Sequence, residues 1–533
     1  MHDYGRFPIA EARTLPGWSL TTLLAPSALY GANGMKVGPD GKLYVAQAFG
    51  SQVSALDTAS GVAATIVPVG SSVVAPDDLA FDTHGVMFMT EVMSERVAAR
   101  LPDGTLRVVA DHVPGANGIT SVGDRVFMDE FRPGGRLFEL YADGRAPRLI
   151  AENLNFPNAL SMGPDGCLYF PQVVDGEIWR VNAEGGTPER VMSGLALPTA
   201  VKWSPRGELW TTEAGTGDIT RIDLASGARH VLTRVRSGID NFAFAPDGRM
   251  FVSHFVDGGV AEIGGDGGER VLVAPGMLGP FGLALDADDR LLVADGMSLA
   301  LHARDGRLEG RWGLLITHEF PGFATGVAVA DDGAWLISTT AGTVTRFRPE
   351  GERSVLASDL QQVMGLASMP DGAVLACERG AGRLLRIGAD GRCTVVVGGL
   401  VAPTGVVATA DGDCFVSEAG AGRVMHVRNG VATPVLTGLA EPHGLALQGD
   451  ELFVLDRAAR SLTCLSLASG KSATVAEGLP VGAAPGIVPR VLPGIAGLMP
   501  GPLLPFAGLV ATRDGRLLLG ADGAGAVLAL QRE

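Results

Sequence analysis

Basic clusters, long apolar runs and grouped cysteines are all missing from this chain. The 533 residues carry a formal net charge of −16, and nowhere do Lys and Arg gather. No phosphate-neutralising surface is expected, which argues against a nucleic-acid partner and against an acidic membrane. The five cysteines, Cys167, Cys377, Cys393, Cys414 and Cys464, are scattered and odd in number. Lacking ligand spacing, they read as small buried hydrophobes in a reducing compartment, not as a disulfide framework or a zinc site. Residues 1–20 hold no apolar core behind basic residues, so no signal peptide is expected and a cytoplasmic location is the default. Phosphate loops, Gly-x-Ser-x-Gly elbows, His-Glu-x-x-His and paired Cys-x-x-Cys motifs are absent too, leaving kinase, serine-hydrolase and zinc-protease readings without support. Aromatics make up only 6%, whereas glycine occurs 75 times. With 46% hydrophobic and 19% charged residues, this balance predicts packed domains of short strands and tight turns.

What is present is a repeat. Each copy runs as an apolar strand, a turn of the Pro-Asp-Gly type, and a second strand ending in a polar residue. Gly34 to Gln47 and Phe242 to His254 are examples. The Asp-Gly pair supplies the tight antiparallel turn. The second strand ends at Gln47, Glu91, Glu130, Gln172, Glu213, His254, Asp295, Thr339, Glu378, Glu418, Asp456 and Ala521, at intervals of about forty residues apart from the last. Four strands per unit at that period predict an all-β chain of about twelve blades: two six-bladed β-propellers in tandem. One twelve-bladed ring is disfavoured, since propellers have about four to eight blades. The first propeller is expected over residues 28–276 and the second over 277–533. The last copy is one strand short, and Trp18 to Ala25, within residues 9–27, is expected to supply the strand that closes it and removes an exposed edge. Two stretches break the period. Leu479 to Pro505 is apolar, but its recurring prolines and Arg490 exclude a membrane helix. It reads as a long surface loop, or alternatively as a lid or a subunit contact of a homo-oligomer. A smaller extension, Leu314 to Phe320 with His318 and Glu319, lies near the expected propeller junction.

The residue just before the first strand of each blade should ring the propeller axis. In the first six copies these are Asn33, Asp77, Asn117, Asn158, Thr199 and Asp240; in the last six, Phe281, Thr325, Met364, Thr404, His443 and Ala507. The first ring is polar and the second mostly apolar or small. Carboxylates and amide carbonyls are hard oxygen donors, so Asn33, Asp77, Asn117, Asn158 and Asp240 form a candidate site for Ca²⁺ or another divalent ion. Asp78 and Asn241 beside them add donors. Thr199, Asn241, Glu130 and Glu213 are candidate substrate contacts, and His254 is a candidate acid or base. Each has a plainer reading: Asn and Asp cap loops before strands, and the acidic strand ends recur in the second half as part of the repeat's own hydrogen bonding. His443, in Glu441-Pro-His-Gly-Leu, has no carboxylate company in the ring pattern and reads as structural.

The phrase Pro-x-Gly-Leu-Ala, followed by Pro-Asp-Gly-x-Leu-Tyr-Val-(Ala/Ser)-Glu and Arg-Val/Ile, resembles the senescence marker protein/gluconolactonase/lactonase-like propellers and the related NHL repeats. That resemblance implies a divalent ion, Ca²⁺ foremost, held at the axis by a Glu, Asn residues and an Asp. Asn117, Asn158 and Asp240 match in type and blade order, while Asn33 stands where the family has its Glu. It further implies a metal-dependent hydrolase of a lactone or related ester, with Asp240 as base or nucleophile and His254 as proton donor. Pro-His-Gly and Leu209 to Glu213 also resemble streptogramin-cleaving lyases, which would open an ester by elimination with a histidine base and a metal. A non-enzymatic binding scaffold is the third reading.

Overall fold

The computed structural model describes residues 6, 9–143, 145–313, 322–351, 353–496 and 498–533. The extension at 314–320, with His318 and Glu319, lies outside the described residues. Among the described residues, eleven sheets have four strands, one has four plus a short fifth, and a two-stranded piece lies in the Pro-rich insertion. In eleven blades the four main strands form an antiparallel meander in chain order from the inside out, and in the twelfth the outermost strand comes from near the start of the chain. The turns explain why. Gly41, Gly166 and Gly248 sit at φ of 77°, 76° and 93°, where a side chain would be strained. The Asp before each of these glycines accepts the N–H two residues on: Asp40 from Lys42, Asp165 from Cys167 and Asp247 from Arg249.

The chain divides into two compact units, one built on Ser27–Gly276 with Val488–Gly497, the other on Arg6–Pro26, Met277–Ile487 and Leu498–Glu533. In the first unit the innermost strands are Met35–Val37, Pro76–Phe81, Ala116–Val122, Ser161–Met162, Pro198–Trp203 and Ile239–Phe244. Each packs on the next, and the sixth returns to the first. The second unit repeats this with Pro280–Leu285, Ala324–Val329, Val363–Ser368, Pro403–Ala408, Pro442–Gln448 and Leu509–Ala511. Both units are six-bladed propellers. The closing strand is Trp18–Leu24, paired antiparallel with Ala526–Arg532 from Trp18 opposite Arg532 to Leu24 opposite Val527. A two-residue strand, Arg13–Thr14, adds a fifth edge to the eleventh blade against Ser472–Glu477. One expected boundary shifts: Val488–Gly497, part of the Pro-rich insertion, groups with the first unit.

Apolar cores lie between blades rather than within them. In the first unit a separate buried cluster fills every joint, including the one that seals blade six against blade one through Phe251, Val260, Leu29 and Leu43. Two devices then fix the spacing at the axis. In the second unit the innermost strands carry glycine at one shared position: Gly282, Gly326, Gly365, Gly405, Gly444 and Gly508. A Cβ on each would meet the backbone of the next blade: the carbonyl oxygens of Thr325, Met364, Thr404, His443, Ala507 and, closing the circle, Phe281. A hydroxyl on the second strand also donates to the neighbouring blade's inner carbonyl. Ser338 reaches Met364 at 2.6 Å, Ser417 reaches His443 at 2.6 Å, and Ser253 reaches Asn33 at 2.7 Å across the closure of the first unit. Among the described residues, no helix is long and apolar enough to cross a membrane.

Gly405→Ala should therefore destabilise the second unit by about 1–3 kcal/mol, because the added methyl overlaps the His443 carbonyl and rigid backbone must give way. Urea unfolding of the variant checks this; an unchanged midpoint would refute the close-approach account.

Candidate functional site

Asn33, Asp77, Asn117, Asn158, Thr199 and Asp240 stand at matching points around the first axis, as the repeat alignment expects. Their side chains are differently engaged. Asn33 Nδ2 lies 3.4 Å from Asp77 Oδ1, and its Oδ1 accepts the Ala48 N–H at 3.3 Å. Asn158 Oδ1 accepts the Ala159 N–H at 2.7 Å. Asn117 Oδ1 is buried with no hydrogen-bond partner. Thr199 Oγ1 donates toward the Ile239 carbonyl at 3.4 Å, which makes it an interblade tie. Asn241 Oδ1 accepts the Phe242 N–H at 2.8 Å.

Most of this set is engaged with the protein's own backbone. Two of its three amide oxygens are spent on backbone N–H groups, and only Asn117 keeps a free one. No group of three or more His, Cys, Asp or Glu among the described residues is placed to hold an ion. What the axis concentrates instead is protons. Burial, then the charges of Asp240, Asp78 and Asp129, push Asp77 well above the usual carboxylate range. Burial and then Asp78 raise Asp240 to about 7, with Lys202 opposing. Two amines that the sequence reading did not single out, Lys36 and Lys202, stand on the innermost strands of blades one and five; burial lowers both, and Lys202 falls to about 8.

The second-strand ends prove to be structural. Their side chains accept an N–H from the start of the same blade: Gln47 from Tyr30 at 2.8 Å, Glu91 from Val74 at 2.7 Å, Glu213 from Ala196 at 2.7 Å and Glu378 from Gln361 at 2.8 Å. Glu130 departs from this, its buried carboxylate being held by Arg132 and Arg136. His254 is wholly buried and makes no side-chain hydrogen bond by strict geometry. Burial, aided by Arg236, lowers it to about 4. It is neutral and sequestered, which does not suit the proton-donor role expected of it.

In the second unit the ring is Phe281, Thr325, Met364, Thr404, His443 and Ala507, all buried. Thr404 Oγ1 donates to the Pro442 carbonyl at 2.9 Å, another interblade tie. A small cavity on this axis is lined by glycines of the ring, by Leu283, Val327 and Leu366, and by Phe506. Phe506 comes from the end of the Pro-rich insertion. It stacks on His443 with ring centroids 5.9 Å apart and points toward Gly365 on the opposite blade. The insertion is also tied at Thr340, whose hydroxyl donates to the Pro500 carbonyl, and at Asp522, which accepts the Gly482 N–H at 2.7 Å.

His443 is not without a carboxylate. Its Nε2 lies 3.6 Å from Glu441 Oε1, and its Nδ1 accepts the Ala507 N–H at 3.3 Å, so the neutral ring carries its proton on Nε2. Arg457 joins Glu441 at 3.3 Å and Asp522 at 3.0 Å. The His443 hydrogen bond, together with Arg457, holds Glu441 down at about 2, while burial lowers His443. The ring alignment missed Glu441 because it lies two residues outside the aligned position.

A family model described as the virginiamycin B lyase family matches residues 187–461, just over half of the chain. Among solved structures, selenomethionine-substituted virginiamycin B lyase from Staphylococcus aureus is 14% identical, with 62% of this chain and 95% of that chain covered and a TM-score of 0.34. A catalytically inactive histidine-to-alanine variant of that enzyme with quinupristin is 15% identical, covering 60% and 96%, at a TM-score of 0.34. A nidogen/laminin complex is 22% identical, covering 37% and 78%, also at 0.34. No curated protein matches.

Two stability predictions arise from the buried acid and the buried histidine. Asp129 occupies the place that Thr90, Ser253, Ser338 and Ser417 take as hydroxyl ties, accepts the Gly118 N–H at 3.0 Å and leaves its Oδ2 unpartnered. Burial raises its pKa well above the ordinary value, so it weakens the fold as pH rises above the unfolded-state value. Asp129→Ser should raise Tm at pH 7 by about 2–4 °C and lose that advantage in acid; an unchanged or lower Tm would count against it. His254 binds its proton near 6.5 when unfolded and near 4 when folded. Its contribution is complete above the first value and falls by roughly 3 kcal/mol as pH drops to the second. His254→Leu should therefore narrow its stability gap to the natural protein across that window, measured by urea midpoints.

Proposed function

The chain belongs to the virginiamycin B lyase family, and from that premise we propose that it is a lyase, opening a cyclic ester by elimination at the axis of its second propeller. The observation that carries the reading is a histidine with a carboxylate partner, His443 and Glu441, set at that axis inside the family-matched segment. Elimination needs a base to take a proton from the carbon beside the one bearing the ester oxygen. The electron pair left behind forms the alkene, and the carboxylate departs without water being consumed.

Nδ1 of His443 is the basic atom, and its contact with the Ala507 N–H is long enough to yield to a substrate. Burial keeps the imidazole neutral near physiological pH, as a base must be. The positive charge gained on proton transfer faces Glu441, itself held ionised beside Arg457. Phe506 lies over the ring and has to move for a substrate to reach it. Virginiamycin B and quinupristin, named for the relatives, are the first cyclic esters to try. Hydrolysis of a lactone by metal and Asp240 at the first axis has less support, since the family match favours elimination.

His443→Ala should lower kcat by about a hundredfold or more, the usual range for a lost acid–base group. Glu441→Gln should lower it less and move the acidic limb of the pH profile downward, because Glu441 raises His443 while burial depresses it. Mass spectrometry of the product decides the class: an alkene supports elimination, and a hydroxyl with added water overturns it.

A further inference from the structure

Two of the groups that meet the imidazole of His443 come from the end of the Pro-rich insertion. The ring of Phe506 stacks on it, with centroids 5.9 Å apart and planes 26° from parallel. The next N–H, that of Ala507, is spent on Nδ1 at 3.3 Å. Glu441 lies at the other nitrogen, Nε2. One pair of neighbouring residues therefore covers both the face and the lone pair of a histidine that is almost wholly buried.

The chain arrives there differently from the rest of the second unit. Five innermost strands open on a rung to the last residue of their second strand: Pro280 opposite Asp295, Ala324 opposite Thr339, Val363 opposite Glu378, Pro403 opposite Glu418 and Pro442 opposite Asp456. The matching rung of the twelfth blade would pair Phe506 with Ala521. It is not made, and pairing there begins at Leu509 opposite Leu519. Phe506 also joins neither apolar cluster beside its blade, although Ala507 and Leu509 belong to one, and Leu518 with Leu283 to the other. It leans over the small axial cavity instead, toward Gly365 on the opposite blade. A buried benzyl group with no place in the sheet or the joints is held chiefly by what it covers. Upstream, Pro500, Pro502 and Pro505 restrict the backbone, so the run from Met499 to Phe506 shifts as one piece. The Thr340 hydroxyl latches that run at the Pro500 carbonyl.

We propose that Phe506 and Ala507 form an autoinhibitory cap on His443. The protein rests closed, and the site becomes competent when the run from Met499 to Phe506 lifts. That movement takes the phenyl ring off the imidazole face and turns the Ala507 N–H away from the lone pair. As regulation of a lyase site the cap rests on the function proposed above; as a barrier to one imidazole it does not. A ligand binds only the open fraction, so loosening the cap raises apparent affinity.

The test treats the full chain with diethyl pyrocarbonate, which acylates unprotonated imidazole, and maps the rate at each of the nine histidines. His112 and His230 are exposed and set the open rate, while His254, wholly buried in the first unit, reports unfolding. His443 of the natural protein should react at least about tenfold more slowly than the exposed pair, as a site open no more than about a tenth of the time would. Phe506→Ala should speed His443 by about tenfold, and Thr340→Val should speed it severalfold, with His254 still unreactive in both. The proposal is overturned if natural His443 reacts as fast as His112 and His230, or if neither variant speeds it while His254 stays protected. Where Phe506→Ala unfolds the chain, shown by His254 reacting too, Thr340→Val decides. Product analysis on a cyclic ester is a separate readout, so a chain that eliminates nothing loses the lyase reading and keeps its cap.

Discussion

The distance between neighbouring innermost strands is the constraint on which both propellers depend. Six such strands must converge on one axis, where the wedge between blades is narrowest and side chains have least room. In the second propeller that room is made by glycine at one position in all six blades, so that backbone meets backbone around the circle from Gly282 to Gly508. Hydroxyls of Ser338 and Ser417 then tie the inner carbonyls of Met364 and His443 to the neighbouring blade, satisfying groups that would otherwise be buried unpaired. Apolar residues outside this ring fill the joints, and the chain closes by pairing its first long strand with its last.

In the first propeller that same position holds Gly34, Asp78, Gly118, Ala159, Ala200 and Asn241. With side chains in place of four glycines, the axis becomes polar. Burial first, and like charges second, shift these acids and amines toward neutrality while opposite charges resist, which brings Asp240 and Lys202 near physiological pH. The second axis takes the opposite course. Its glycines and aliphatic residues line a small cavity, and His443 in its ring is met from outside by Glu441, which Arg457 joins.

Polar residues at strand ends illustrate how similar patterns can have different causes. Gln47, Glu91 and Glu213 end second strands in the first propeller, and Glu378 recurs at that place in the second, as the repeat's own hydrogen bonding would require. In space each closes its own blade by accepting an N–H from the loop that begins it. Asp129 is the reverse case. It looks unremarkable beside Glu130, yet it replaces a hydroxyl tie and leaves one carboxyl oxygen buried without a partner.

The blade repeat, the polar first ring, the apolar second ring and the closing strand at Trp18–Leu24 were all legible in the sequence alone. The reason is that strand alternation, Asp-Gly turns and a period of about forty residues are local properties, each set within one blade. What only the tertiary structure decided is which side chains meet. Lys36, Asp78 and Lys202 come from blades one, two and five, and Phe506 crosses from the end of the insertion toward Gly365. Closing a ring brings residues from separate blades onto one axis, and their burial there, which sets their charge, exists only once the circle is complete.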